Sequence, residues 1–144
     1  MKITREADYA LRILYLLASE PKRTIGAAEI SELTMVTIRF TLKIMRKLTS
    51  AGFVQSFKGS YGGYRLSRPA NEITVLQAIE SIDGPLAFNR CVGSGDCEIT
   101  ANSADCFYHL LFCSVNKQIS KALGGITISD AVDSNVEKIK ELKF

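Results

Sequence analysis

Two runs in which apolar and polar side chains alternate, Phe53-Val54-Gln55-Ser56-Phe57-Lys58 and Tyr64-Arg65-Leu66-Ser67, flank the stretch Gly59-Ser60-Tyr61-Gly62-Gly63. A period of two with aromatic and β-branched residues suits strands with one buried face, and the glycines supply the positive φ that a tight reversal needs. The segment therefore predicts a β-hairpin. Upstream, the periodicity is helical. Ala7, Ala10, Leu11, Leu14, Leu17 and Ala18 follow Thr4, which can cap a first helix, and Pro21 lies beyond its end. Residues 24–33 read as a short second helix through Ala27, Ile30 and Leu33. After Thr34-Met35-Val36, the residues Phe40, Ile44, Met45 and Leu48 mark a third helix that ends near Gly52. Two short helices joined by a tight connection and followed directly by a hairpin make a winged helix-turn-helix. The expected fold is mainly α with a small β-hairpin wing.

Charge separates the two halves of the 144-residue chain. Residues 1–70 hold 12 Lys and Arg against 5 Asp and Glu, a formal +7; residues 71–144 hold 6 against 10, a formal −4. A basic half joined to an acidic half suggests a reader of polyanions with a separate control or assembly region. The expected division is a DNA-binding head over 1–70 and a cysteine-loop and dimerisation region over 71–144. Arg39, Lys43, Arg46 and Lys47 fall on the third helix and Thr37 at its start. A helix fits the major groove and its first turn reaches base edges, so Thr37, Arg39 and Lys43 are the expected groove contacts. Phe40 either meets a thymine methyl or packs inward. Arg46 and Lys47 fit a solvated face better than DNA. Lys58 and Tyr61 at the wing tip are placed for a phosphate or the minor groove.

Three cysteines, Cys91, Cys97 and Cys106, gather in one glycine-studded polar stretch, and His109 follows three residues after the last. Structural cysteines are scattered along apolar faces, so this clustering points to a metal or redox site. Cys113 shares a helical face with His109, but its neighbours Leu110, Leu111 and Phe112 argue that it is core. Residues 106–123 read as one long helix. Ile126-Thr127-Ile128-Ser129-Asp130-Ala131-Val132 reads as a short helix capped by Thr127 that packs back across a dimer, and residues 138–144 read as a polar, disordered tail.

The chain resembles the Rrf-two family of bacterial winged-helix transcription regulators over nearly its whole length. The likeness rests on Met1-Lys2-Ile3-Thr4 leading into Asp8-Tyr9-Ala10-Leu11-Arg12 and on the wing block Lys58-Gly59-Ser60-Tyr61-Gly62-Gly63-Tyr64-Arg65-Leu66. Arg68-Pro69, Ile73-Thr74-Val75 and Gly84-Pro85-Leu86 before the cysteines extend it. The resemblance implies a homodimer that reads a near-palindromic operator and is crossed by the long helix of the acidic half. It also implies an iron-sulfur cluster. Cys91 and Cys97, with five residues between them, match the family spacing, whereas the eight residues between Cys97 and Cys106 exceed it. Three thiolates leave one weaker, exchangeable position. His109 matches the histidine of the IscR-like branch, and imidazole ligation favours a 2Fe-2S cluster. Asp8 matches the aspartate of the NsrR-like branch, which reaches the partner subunit's cluster and caps a 4Fe-4S form. The two precedents compete, and each residue has a plainer role open to it: His109 at the surface, Asp8 paired with Arg5 or Arg12.

Three other readings stand beside this one. Cys91, Cys97, Cys106 and His109 would satisfy a tetrahedral zinc ion, although the paired Cys-x-x-Cys knuckles usual for zinc are missing. A cluster-free thiol switch would use the same residues. An iron-sulfur protein that ignores DNA would leave the basic head unexplained. An enzyme is not expected: the chain has no phosphate-binding glycine loop, no nucleophile elbow, no Cys-x-x-Cys pair and a single histidine. With no charged leader before a long apolar run and no stretch near the roughly 20 apolar residues of a membrane span, a cytoplasmic location is expected.

Overall fold

The computed structural model describes residues 3–95 and 105–142. In chain order it forms α1 (Arg5–Ser19), α2 (Ala27–Thr34), α3 (Ile38–Ser50), β1 (Val54–Phe57), β2 (Gly63–Leu66), a 3-10 turn (Ala70–Glu72), α4 (Val75–Asp83), α5 (Arg90–Ser94), α6 (Phe107–Gly124), α7 (Ile128–Val132) and α8 (Val136–Lys140). Thr4 caps α1 by accepting the Ala7 N–H at 3.2 Å. The buried positions Ala7, Ala10, Ile13, Leu14 and Leu17 recur every three or four residues, so a single stripe of α1 faces inward. Ile30 of α2 and Thr41, Ile44, Met45 and Leu48 of α3 close over that stripe. Between α2 and α3 the chain turns on Met35, whose left-handed backbone (φ 55°) lets α3 start almost at once.

The wing is a two-stranded antiparallel sheet with register Val54↔Leu66 to Phe57↔Gly63. A third contributor comes from before α2. The Ile25 N–H donates to the Tyr64 carbonyl at 3.0 Å and the Tyr64 N–H returns to the Ile25 carbonyl at 2.8 Å. This bridge ties the hairpin to the helical head, and it needs a backbone approach that only Gly63, at φ 149°, permits.

The acidic half is built around two helix starts that face each other. Thr74 caps α4 in a capping box with Gln77, and Thr127 caps α7 in one with Asp130. The two threonines pair across an antiparallel bridge, the Val75 N–H donating to Ile126 and the Ile128 N–H to Ile73, both at 2.9 Å. Both helices lie against α1 of their own chain. α7 packs within its own chain, Ile128 being buried with Ile73, Ala78 and Ile82 in the same cluster as the α1 stripe. The expected disordered tail is corrected for residues 138–142, and residues 143 and 144 lie outside the described residues. Residues 136–140 form α8, held by Lys138, whose ammonium donates to Asp130 at 2.6 Å.

Asp130 carries a pH signature. Hydrogen bonds from Lys138 and from the Thr127 hydroxyl and backbone hold its carboxyl far below the usual range. A depressed folded-state value means stability that is present above the unfolded value near 3.8 and is lost as the pH falls below it. Asp130→Asn is therefore expected to lower stability near neutrality by about 1–3 kcal/mol and to flatten the loss between pH 5 and pH 2, read from urea unfolding at a series of pH values. An unchanged acid limb would remove Asp130 from the account.

Candidate functional site

On α3 the residues opposite the buried set are Arg39, Leu42, Lys43 and Arg46, which with Phe40 line one shallow concavity. Arg39 and Arg46 are exposed and make no contact with a protein anion among the described residues. Thr37 caps α3 by backbone position only, its hydroxyl making no cap hydrogen bond, so both the hydroxyl and the first amides of the helix face outward. Phe40 belongs to neither of its two expected environments outright. It is 44% exposed, set edge-on to Tyr9 of α1 at 6.4 Å between ring centres, with the Lys43 ammonium 6.0 Å above its ring.

The two lysines of α3 converge on Glu6 of α1. Lys43 donates to Oε2 and Lys47 pairs with Oε1, each at 2.9 Å. Burial acts to raise the Glu6 carboxyl, but the two ammonium groups outweigh it and hold it below its usual value. Lys47, expected on a solvated face, is turned inward because it also reaches the Ile82 carbonyl at 3.2 Å at the end of α4. Lys58 and Tyr61 project from the wing tip, Tyr61 at 96% exposure. Arg65 and Arg68 lie over Phe57 and Phe53 instead, and are committed to the sheet.

Leu42 and Glu6 are the site residues that sequence reasoning missed. Leu42 stands three residues after Arg39 and four before Arg46, a helical spacing that could have revealed it. Glu6 has no local signal, because its partners are more than thirty residues away.

Cys91 lies beyond the C-terminal end of α4. Leu86 is clamped on both sides: its N–H donates to Glu80 Oε1 at 3.0 Å, and its carbonyl accepts from Asn116 Nδ2 of α6 at 3.0 Å. Phe88 stacks on Phe112 with ring centres 5.3 Å apart. These contacts deliver Cys91 to the first turn of α5, which packs on α6, where Cys106 occupies the N-cap position. Both cysteines are half-buried. Cys97 lies outside the described residues, and among the described residues no three His, Cys, Asp or Glu side chains converge on one cation position.

His109 is half-buried one turn into α6. Its Nδ1 is buried with no hydrogen-bond partner among the described residues, while Nε2 sits 3.4 Å from the Cys113 sulfur. Cys113, expected in a core, is half-buried within the single chain. Leu110 and Leu111 are exposed, as are Phe107 and Tyr108, so α6 within one chain has no core to enter. Asp8 pairs with Arg12 at 2.8 Å on the outer face of α1, the plainer of its two expected roles, with both side chains about half exposed.

Comparison with known proteins follows the same outline. The model of the Rrf2 family, described as "Iron-dependent Transcriptional regulator", matches residues 3–134. The transcriptional regulator IscR of Vibrio campbellii is 29% identical over 136 residues, covering 94% of this chain and 79% of its own. Two solved structures share the fold: CymR, the global cysteine regulator of B. subtilis (TM-score 0.78, 22% identity, 93% of this chain and 98% of that one), and T. potens IscR (TM-score 0.71, 23% identity, 94% and 88%).

Proposed function

Because the chain belongs to the Rrf2 family of transcriptional regulators, we propose that it is a homodimeric DNA-binding regulator whose operator affinity is set by an iron-sulfur cluster. The observation that carries the cluster is the donor set at the junction of α5 and α6. Cys91 and Cys106 present half-buried thiols from two helices that pack together, and His109 one turn on holds a buried ring nitrogen with no hydrogen-bond partner among the described residues. Soft thiolates with one imidazole fit iron-sulfur ligation, and Cys97 would complete the set. A bound cluster would supply an electron-accepting centre with one exchangeable ligand position. Asp8 remains the competing fourth ligand, offered from the outer face of α1 to a second copy.

The chain's own residues link that junction to DNA. Leu86 and Phe88 bind the cysteine segment to α4 and α6. The far end of α4 is tied to α1, where the Thr4 N–H donates to Asp83 at 3.1 Å, and to α3, where Lys47 donates to the Ile82 carbonyl. A shift of α5 relative to α6 would therefore act on the helix that carries Arg39. Thr37, Arg39 and Lys43 are the assigned groove contacts, with Phe40 at their edge; Lys58 and Tyr61 are the backbone or minor-groove contacts. The exposed aromatic and leucine face of α6 supports the homodimer, and a dimer supports a near-palindromic operator.

A second reading, a cluster-free thiol switch, is favoured by the Cys113 and His109 contact and by the likeness in fold to CymR. Iron and acid-labile sulfide per chain, with Mössbauer spectra, on protein purified without oxygen, separate the two. About two of each, disturbed by His109→Ala, is the expected result; about four of each, disturbed by Asp8→Ala, assigns the aspartate instead. Zinc, or no metal at all, would sink the cluster and leave the thiol switch or a zinc-bound regulator of the same fold.

A further inference from the structure

Three cations stand on the outward face of α3, and they are not equivalent. Among the described residues Arg39 and Arg46 pair with no protein anion, whereas Lys43, 55% exposed along its side chain, is paired with Glu6. Glu6 is itself only 16% exposed and is ion-paired from behind with Lys47, which donates its hydrogen bond to the Ile82 carbonyl. The carboxylate is therefore a stationary anion at the rim of the DNA-facing surface, and it keeps one counter-cation when Lys43 leaves it.

We propose that Glu6 is an affinity-setting residue: its carboxylate occupies the Lys43 ammonium at the DNA face, so a phosphate must displace Glu6 to recruit this lysine. The proposal rests on the DNA reading and deepens it by dividing the α3 cations into two classes. A free cation that meets a phosphate releases a counterion from the duplex and steepens the salt dependence of binding by about 0.9. Lys43 contributes this only when it leaves Glu6 for a phosphate; while it stays paired it neutralises no phosphate and adds nothing to the slope. Its assignment as a groove contact is narrowed accordingly: Lys43 is a conditional contact, and Arg39 the unconditional one.

The test needs no operator, because phosphate binding is independent of sequence. Fluorescence anisotropy with a mixed-sequence duplex of about 30 base pairs, titrated between about 50 and 200 mM salt, gives affinity and slope for each variant. Glu6→Gln is expected to bind about three- to tenfold more tightly at the low-salt end, with a slope steeper by about one. Lys43→Gln in the same background is expected to abolish that gain. In the otherwise native chain, Lys43→Gln should change the slope by less than half as much as Lys58→Gln, a comparison that stands even if Glu6→Gln folds poorly. Equal losses for Lys43→Gln and Lys58→Gln, or an unchanged slope for a folded Glu6→Gln, would overturn the role of Glu6 while leaving DNA binding intact. Absence of salt-dependent binding by the native chain would overturn the DNA reading itself.

Discussion

Gly63→Ala is expected to destabilise the protein by about 2–4 kcal/mol and to detach the wing from the head. A methyl group at residue 63 would stand 2.5 Å from the Ile25 carbonyl oxygen and 2.8 Å from the Gly26 nitrogen, both of them backbone atoms that cannot rotate away. The φ of 149° adds strain that an L side chain does not tolerate. Relief requires breaking the pair of hydrogen bonds between Ile25 and Tyr64, so amide exchange at these two residues should rise with the loss of stability. Gly59→Ala is the control. Its φ of 100° is also strained, but nothing lies within 4 Å, and the cost should stay near about 1 kcal/mol. Equal effects at the two positions would mean that the close approach to Ile25 contributes nothing.

Arg39→Ala is expected to weaken binding to sequences selected from a random duplex library by about tenfold to a hundredfold, with a much smaller effect on unselected duplex. The reason lies in position: Arg39 is in the first turn of α3, exposed and without a partner among the described residues, where a guanidinium can span two acceptors on a guanine. Lys58→Ala at the wing tip should instead weaken selected and unselected duplexes alike, by a few-fold, as expected for loss of a phosphate contact. A uniform loss from Arg39→Ala would strip it of the base-reading role.

The elements written in local periodicity were legible. The alternation in 53–58 and 64–67 with its glycines predicted the hairpin, and apolar spacing placed α1, α2 and α3 within a few residues of their ends. Features made by single long-range contacts were not legible. Ile25 adds one residue to the sheet, and one residue has no period. Glu6 looks like any first-turn carboxylate until the fold sets Lys43 and Lys47 beside it, and those lysines then lose the simple roles that their sequence positions suggest. The surroundings of Cys113 were not legible either: Leu110 and Leu111 suggest a packed helix, but within one chain both are exposed and Cys113 is half-buried. Of the metal-ligand candidates, the sequence supplied the identities, while the clamping of Leu86 and the buried Nδ1 of His109 emerged only from packing.

The Ile25 bridge has one more consequence. Because the sheet is anchored at Tyr64 and closes at the pair Phe57 and Gly63, residues 58–61 extend past every contact that holds the wing to the head. Tip length is thereby uncoupled from fold integrity. Insertions or deletions there would change how far the protein grips along a duplex without disturbing a buried residue.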